Sequence, residues 1–217
     1  MIVYDNLDFD GALFDMDGLV LDTEKVYHEV WKEAGKAYGY DVTEEMVSSL
    51  MGGGYDNTKA MFERIFGKDF PFDKVRKLRT EMLEEVFRKE PPEVKPGFKE
   101  LISYLKETGR KTALATSTER ERAMRLLASA GIAEDTFDET VCGDEVSESK
   151  PNPEIFIKAA KKIGVPVSKC LIFEDSFNGI RAAHAAGAMP IMVPDTVLPT
   201  EEIKNLCFRV QKTLWRL

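Results

Sequence analysis

Asp15 and Asp17 stand one residue apart in Ala12-Leu13-Phe14-Asp15-Met16-Asp17-Gly18, at the end of a short apolar run and just before a glycine. A run of that length ending at Gly reads as a buried parallel strand that feeds a loop. Side chains alternate along a strand, so the two carboxylates are expected to leave its tip on the same side, toward the crevice where open α/β sheets bind ligands. Carboxylates so placed can share one phosphoryl group, one attacking phosphorus while the other moves a proton. Acidic pairs also cap strands or hold structural cations, so the pair alone leaves its chemistry open.

Later segments narrow the choice. A second apolar run, Thr112-Ala113-Leu114-Ala115, ends in the hydroxyls Thr116, Ser117 and Thr118, which can hydrogen-bond phosphate oxygens. Ser149-Lys150-Pro151-Asn152-Pro153 precedes an amphipathic run, which sets Lys150 in a loop before a helix start, ordinarily the place of a solvated charge. Leu171-Ile172-Phe173 then ends in Glu174-Asp175, followed by Ser176, Gly179 and a helix-like stretch from Ile180 to Ala186. Two acids from each of two strand tips, with a lysine and hydroxyls between, form an oxygen-rich cage suited to Mg²⁺ and phosphate.

With these segments in this order the chain resembles the haloacid dehalogenase superfamily of phosphotransferases, and within it the branch of β-phosphoglucomutase-like phosphatases and mutases. The resemblance spans nearly the whole chain and is carried by Phe14 to Gly18, Ala115 to Ser117, Ser149 to Pro151 and Phe173 to Ser176. It implies that Asp15 is the nucleophile, Asp17 the acid/base, and Thr116 and Lys150 the phosphate-holding and charge-balancing groups. It further implies a Mg²⁺ cofactor held by Asp15, Glu174, Asp175 and the main-chain carbonyl of Asp17.

The chemistry of such a cage follows from charge. A phosphate monoester dianion repels an incoming carboxylate, so a metal ion and Lys150 are needed to cancel charge before Asp15 can approach phosphorus in line. If the phosphoryl acceptor is water the enzyme is a phosphatase; if it is a second sugar hydroxyl, a mutase. The acid at position 17 argues against a dehalogenase, because a departing halide needs no proton.

The order of elements implies an α/β fold: a doubly wound parallel sheet, the Rossmann-like core of the superfamily, built from residues 1–21 and 94–217 and carrying an inserted α-helical cap over residues 22–93. Helices are expected near Glu24 to Tyr38, Glu44 to Met51, Thr58 to Phe66 and Asp73 to Lys89. Beyond Gly97 helical and strand patterns alternate, with helices at Phe98 to Glu107 and Arg120 to Ala130 and strands at Thr140 to Cys142 and Pro190 to Val193. Substrate choice should reside in the cap, which can close over the leaving group. Its most suggestive loop is Gly52-Gly53-Gly54-Tyr55-Asp56-Asn57, either a flexible turn or a place where Gly53 lets the backbone approach a ligand with Tyr55 beside it. Sugar-phosphate mutases of this branch commonly keep a basic residue near that point, and Tyr55 in its place favours a phosphatase. On a helical wheel from Asp73 to Lys89, Arg79 falls within the arc of Val75, Leu78, Met82, Leu83 and Val86, so it either covers apolar surface or reaches the substrate.

Composition bounds the remainder. The 217 residues are 43% hydrophobic and 31% charged, ordinary for a globular enzyme, and the net charge of −8 offers no footprint for nucleic acid. The first residues, with Asp5, Asp8 and Asp10, show no secretory signal, and no apolar run is long enough to span a bilayer. A cytoplasmic monomer acting on a small-molecule phosphate is expected. Cys142, Cys170 and Cys207 are widely spaced and odd in number, which fits reduced thiols rather than disulfides or zinc. The expected activity is Mg²⁺-dependent hydrolysis of a small, sugar-like phosphomonoester through an aspartyl phosphate. The alternatives are β-phosphoglucomutase-type transfer and, in a different class, a non-catalytic phosphate-binding module.

Overall fold

The computed structural model describes Tyr4, residues 7–50 and residues 55–215. Its strands are β1 (Gly11–Phe14), β2 (Lys111–Ala115), β3 (Glu139–Val141), β4 (Cys170–Glu174), β5 (Met189–Met192) and β6 (Arg209–Val210), all parallel, in the order β3-β2-β1-β4-β5-β6. Every residue of β1 and β4 is buried, and apart from Glu174 at the end of β4 both read as apolar runs because helices cover both faces of the sheet. Alternation assigns Phe14 to one face, stacked on Phe173 with ring centroids 4.9 Å apart, and Leu13 to the other, with Ala113 and Ile172. Helices α5 (Phe98–Glu107) and α6 (Arg120–Ser129) cover the Phe14 face. Helices α7 (Glu154–Lys162) and α8 (Phe177–Ala185) cover the Leu13 face.

The chain winds from β1 through β2 to β3 on one side and then crosses to β4 on the other, so the strand order reverses between β1 and β4. A crevice opens at the carboxyl ends of strands at such a switch point. The register places Phe14 opposite both Leu114 and Phe173, so the residues following those strands emerge side by side.

Between β1 and α5 lie helices α1 (Glu24–Ala37), α2 (Glu44–Leu50), α3 (Tyr55–Phe66) and α4 (Phe72–Lys89). They share an apolar cluster of their own, Trp31, Ala34, Val42, Val47, Phe62, Phe70, Phe72 and Val75, while Val30, Leu83 and Phe87 turn to the sheet's core. The outgoing and returning chains run side by side: Leu21 bridges Val94, Asp22 N–H donates to Glu93 O (2.8 Å) and Lys95 N–H to Val20 O (2.9 Å).

Three features depart from the sequence reading. Helix α3 begins at Tyr55, so Tyr55, Asp56 and Asn57 form its first turn rather than a loop. Helix α8 begins three residues earlier than expected because Ser176 Oγ caps it, accepting from Gly179 N–H at 3.0 Å. Helix α9 (Glu201–Leu206) and the two-residue β6 add a sixth strand that is too short to give a periodic signal. The cysteines are free, and among the described residues no helix is long and apolar enough to cross a membrane. Gly53 and its neighbours Met51, Gly52 and Gly54 lie outside the described residues.

Candidate active site

The adjoining tips of β1 and β4 carry the acids, and a loop lysine joins them. Asp15 N–H donates to Phe173 O (3.1 Å), which prolongs the ladder one residue past β1. Lys150, buried, spends its ammonium donors on Asp15 Oδ1 at 2.5 Å, Glu174 Oε1 at 2.6 Å and Ala115 O at 3.1 Å. The other Glu174 oxygen accepts from Ser176 N–H (3.1 Å) and Ser176 Oγ (2.9 Å). A Cβ at residue 179 would overlap the Glu174 carboxylate, so this helix start passes close to the acid only because residue 179 is glycine.

Burial sets the ionisation of this group. It pushes Asp15 up to about 7, the Lys150 charge opposing the rise and Glu174 and Asp17 adding to it. Burial alone would lower Lys150, but Asp15 and Glu174 outweigh it and hold the ammonium charged. Asp175 is raised by burial and then by repulsion from Glu174; Glu24, also buried, is raised by burial and then by Asp17.

Asp15, Glu174 and Asp175 each bring a carboxylate oxygen within 4.8 Å of the others. Asp175 Oδ2 is buried and has no hydrogen-bond partner among the described residues. Three buried carboxylates facing one lysine leave negative charge uncompensated, and a hard divalent cation with oxygen ligands fits that need. The Asp17 carboxylate is not part of this trio. It accepts from Thr23 Oγ1 (3.1 Å) and Thr118 Oγ1 (2.8 Å), which fix its orientation; the metal role expected of Asp17 concerned its main-chain carbonyl. At Gly18 (φ 78°) a side chain would meet Asp175 Oδ2 and Glu24, so the turn after Asp17 is tied to glycine.

These groups open into a cavity of about 930 Å³ between the sheet edge and the inserted helices. Asp15, Asp17, Thr116, Ser117, Lys150 and Asp175 line it from one side, and Glu24, Tyr27, Tyr55, Arg76 and Arg79 from the other. Thr116 is buried and its Oγ1 accepts from Thr118 N–H (3.1 Å), which leaves its own hydroxyl proton to donate. The cavity thus gathers every site residue expected from the sequence except Glu174, buried behind its floor, and Gly53, outside the described residues.

Tyr55 requires a correction. Its hydroxyl donates to the Asp73 carboxylate, and its ring lies under the Arg76 guanidinium at 5.2 Å. Arg76 lines the same cavity, so Tyr55 does not mark a place without positive charge. Arg79 is buried against Trp31 (4.7 Å) and Tyr27 (5.5 Å), and among the described residues no carboxylate lies within 4.0 Å of it. Burial lowers it to about 10, with Tyr27 opposing the fall.

Glu24, Thr23, Tyr27 and Arg122 are site residues that the sequence reading missed. Glu24 looks like an ordinary first-turn acid, and Arg122 sits in the charge run Glu119-Arg120-Glu121-Arg122, which reads as a solvated face. The insertion is tied to the core beside the cavity by Asn57 Nδ2 donating to Lys150 O (3.3 Å) and by Glu84 pairing with Arg125 (2.8 Å).

Comparison with known proteins agrees with this geometry. Residues 9–187 match the family model of the haloacid dehalogenase-like hydrolases. The chain is 34% identical over 179 residues to the phosphorylated carbohydrates phosphatase of Thermotoga maritima, with 82% of each covered. Among solved structures it is similar to CbbY from Rhodobacter sphaeroides in complex with phosphate, with a TM-score of 0.77 and 28% identity over 95% of each chain. A hydrolase from Pseudomonas syringae shares the fold, with a TM-score of 0.84 and 24% identity over 94% of each.

Proposed function

The chain belongs to the haloacid dehalogenase-like hydrolases, and from that premise we propose that it is a Mg²⁺-dependent phosphomonoester hydrolase acting on a small sugar phosphate through an aspartyl phosphate. The observation that carries this reading is the Lys150 ammonium clamped between Asp15 and Glu174 at the adjoining tips of β1 and β4, with Asp17 oriented by two hydroxyls beside it. The name of the Thermotoga relative, a phosphatase of phosphorylated carbohydrates, supports the substrate class.

In the proposed cycle, the hydroxyls of Thr116 and Ser117 take the phosphoryl oxygens and orient phosphorus toward Asp15, while the Lys150 charge, held against Asp15 and Glu174, offsets the negative charge gathered there. An Asp15 oxygen forms a bond to phosphorus as the bond to the leaving oxygen breaks, and Asp17, protonated, gives that oxygen its proton. Asp17 then takes a proton from the water that attacks the phosphoryl-Asp15, which releases inorganic phosphate and restores Asp15. Mg²⁺, held by Asp15, Glu174 and Asp175 with the Asp17 carbonyl, would supply the charge neutralisation that lets two anions meet. Residues 22–93 act in this reading as a cap that excludes bulk water and selects the leaving group.

A second reading, β-phosphoglucomutase-type transfer, is favoured by the inward arginines, since a bisphosphate intermediate needs cations for its idle phosphate. A phosphate-release screen over sugar phosphates, nucleotides and short acid phosphates with and without Mg²⁺, run beside a coupled assay for conversion of β-glucose 1-phosphate to glucose 6-phosphate, decides between them. Mg²⁺-dependent phosphate release that outruns isomerisation is expected. Isomerisation outrunning release would overturn the hydrolase in favour of the mutase, and no turnover of either kind would favour a binding module.

A further inference from the structure

Two arginines from opposite sides of the cavity converge where the catalytic groups do not need them. Arg79 on α4 and Arg122 on α6 each set the guanidinium 5.5 Å from the centroid of one ring, Tyr27, and both line the cavity. Arg79 Nε and Arg122 Nε and Nη2 are buried and have no hydrogen-bond partner among the described residues. The acid nearest Arg122 is Glu84, 3.5 Å from Nε without hydrogen-bond geometry, and Glu84 is already bonded to Arg125 at 2.8 Å.

Buried donors left unpaired are costly, and two desolvated cations side by side more so. The Tyr27 and Trp31 rings satisfy the faces of Arg79 but none of its N–H groups. A neutral sugar hydroxyl could accept a hydrogen bond here yet leave both charges uncompensated. An oxyanion does both, since the planar fork of arginine matches carboxylate and phosphate oxygens. At the other end of the cavity the phosphoryl group itself occupies the place before Asp15 and Lys150, so a second oxyanion falls to the arginine end.

We propose that Arg79 and Arg122 form a seat for a second oxyanion, a carboxylate or phosphate group on the part of the substrate remote from the phosphoryl group that is cleaved. Calling this ligand a substrate rests on the hydrolase reading; the seat itself does not. It selects phosphomonoesters whose leaving group is itself anionic over neutral sugar phosphates of the same size.

The test uses non-hydrolysable pairs that share a phosphonate and differ in the second charge: phosphonoacetate against ethylphosphonate, and butane-1,4-bisphosphonate against butylphosphonate, titrated calorimetrically into the wild-type protein with Mg²⁺. The anionic member of at least one pair should bind about 10- to 100-fold tighter, the range of one or two charge-assisted hydrogen bonds, and the pair that shows it tells carboxylate from phosphate. In Arg122→Gln that preference should fall about tenfold or more; Arg79→Gln should do the same, and if it does not fold, Arg122→Gln alone decides. A preference below tenfold in both pairs overturns the seat. So does a preference that persists in Arg122→Gln, including the case in which both members weaken equally because Arg122 merely holds the insertion through Glu84. A wild-type protein that releases phosphate from no monoester but keeps the phosphonate preference would refute the hydrolase reading and support the seat.

Discussion

Replacing Lys150 by Met keeps most of the buried stem but deletes the ammonium that holds Asp15 at 2.5 Å and Glu174 at 2.6 Å. Removing one partner of a buried ion pair costs about 3–5 kcal/mol, because the remaining charge is left in a medium that solvates it poorly. For a chain of this size each kcal/mol moves Tm by about 2–4 °C, so the metal-free variant should melt about 6–20 °C below wild type. Protonation offers an escape whose direction is fixed. Asp15 is already lifted from 3.8 to about 7 with Lys150 present, and losing the cation lifts it further. A carboxyl whose folded-state pKa exceeds its unfolded value binds a proton in the folded state alone between those two values, so stability rises as pH falls through that window. The Tm deficit should therefore be largest near about pH 8 and shrink toward about pH 5.5. Millimolar Mg²⁺ should also recover more Tm in the variant than in wild type, because it offsets the same repulsion. Calorimetric melts of both proteins at the two pH values, with and without Mg²⁺, read all of this. A variant that melts with wild type at pH 8, or a deficit that grows on acidification, would refute the account of Lys150 as the counter-charge of the acid cluster.

Other substitutions probe the same cluster from different sides. Asp15→Asn should lower phosphatase turnover by orders of magnitude with the fold retained, checked by steady-state rates beside circular dichroism; near-normal turnover would sink the covalent route. Asp175→Asn removes a buried carboxylate with an unpartnered oxygen, so the metal-free protein should gain Tm at about pH 8 while the Mg²⁺-induced rise in Tm is lost. A Mg²⁺ response equal to wild type would remove Asp175 from the metal site. Gly179→Ala would ordinarily help a helix by about 0.5–1 kcal/mol, but here the new Cβ meets the Glu174 carboxylate, so Tm and Mg²⁺ response should both fall; a stabilised, fully active variant would show that Glu174 has room to move.

What the sequence disclosed and what it hid divide along a physical line. Asp15, Asp17, Thr116 and Glu174-Asp175 were legible because each follows an apolar run, and the covalent spacing of a parallel strand dictates that such residues surface together at one sheet edge. Lys150 was legible through the family resemblance carried by Ser149 to Pro151. Its burial was not, because a loop lysine looks solvated until the acids it joins are known. Arg122 owes its place in the site to the approach of Tyr27 on α1 and Glu84 on α4 to α6, a long-range packing that no local pattern encodes, while Glu24 was hidden because a first-turn acid beside the Gly18 turn looks like an ordinary helix start. The bounds of α3 escaped for the opposite reason: the glycines before Tyr55 are compatible with a loop or a helix start, and only the tertiary contacts of Tyr55 with Asp73 and Arg76 select the latter.

Glu84 tells whether Arg122 serves the ligand or the architecture. Its carboxylate bonds Arg125 at 2.8 Å and stands 3.5 Å from Arg122, with the Glu84 side chain 36% exposed and that of Arg122 only 14%. If the Glu84 pairings mainly hold the insertion shut, Glu84→Gln loosens the cavity and weakens every ligand alike. If Arg122 is a seat for an oxyanion, Glu84 is a competitor for its charge, and removing that charge favours the anionic ligand alone. Partly exposed pairs contribute about 0.2–1 kcal/mol, so Glu84→Gln should raise the preference for the anionic phosphonate by about 1.5- to fivefold. The gain should fade at high salt, where the competition is screened already. Parallel weakening of the charged and uncharged phosphonates, independent of salt, would assign Arg122 to the closure of the insertion instead.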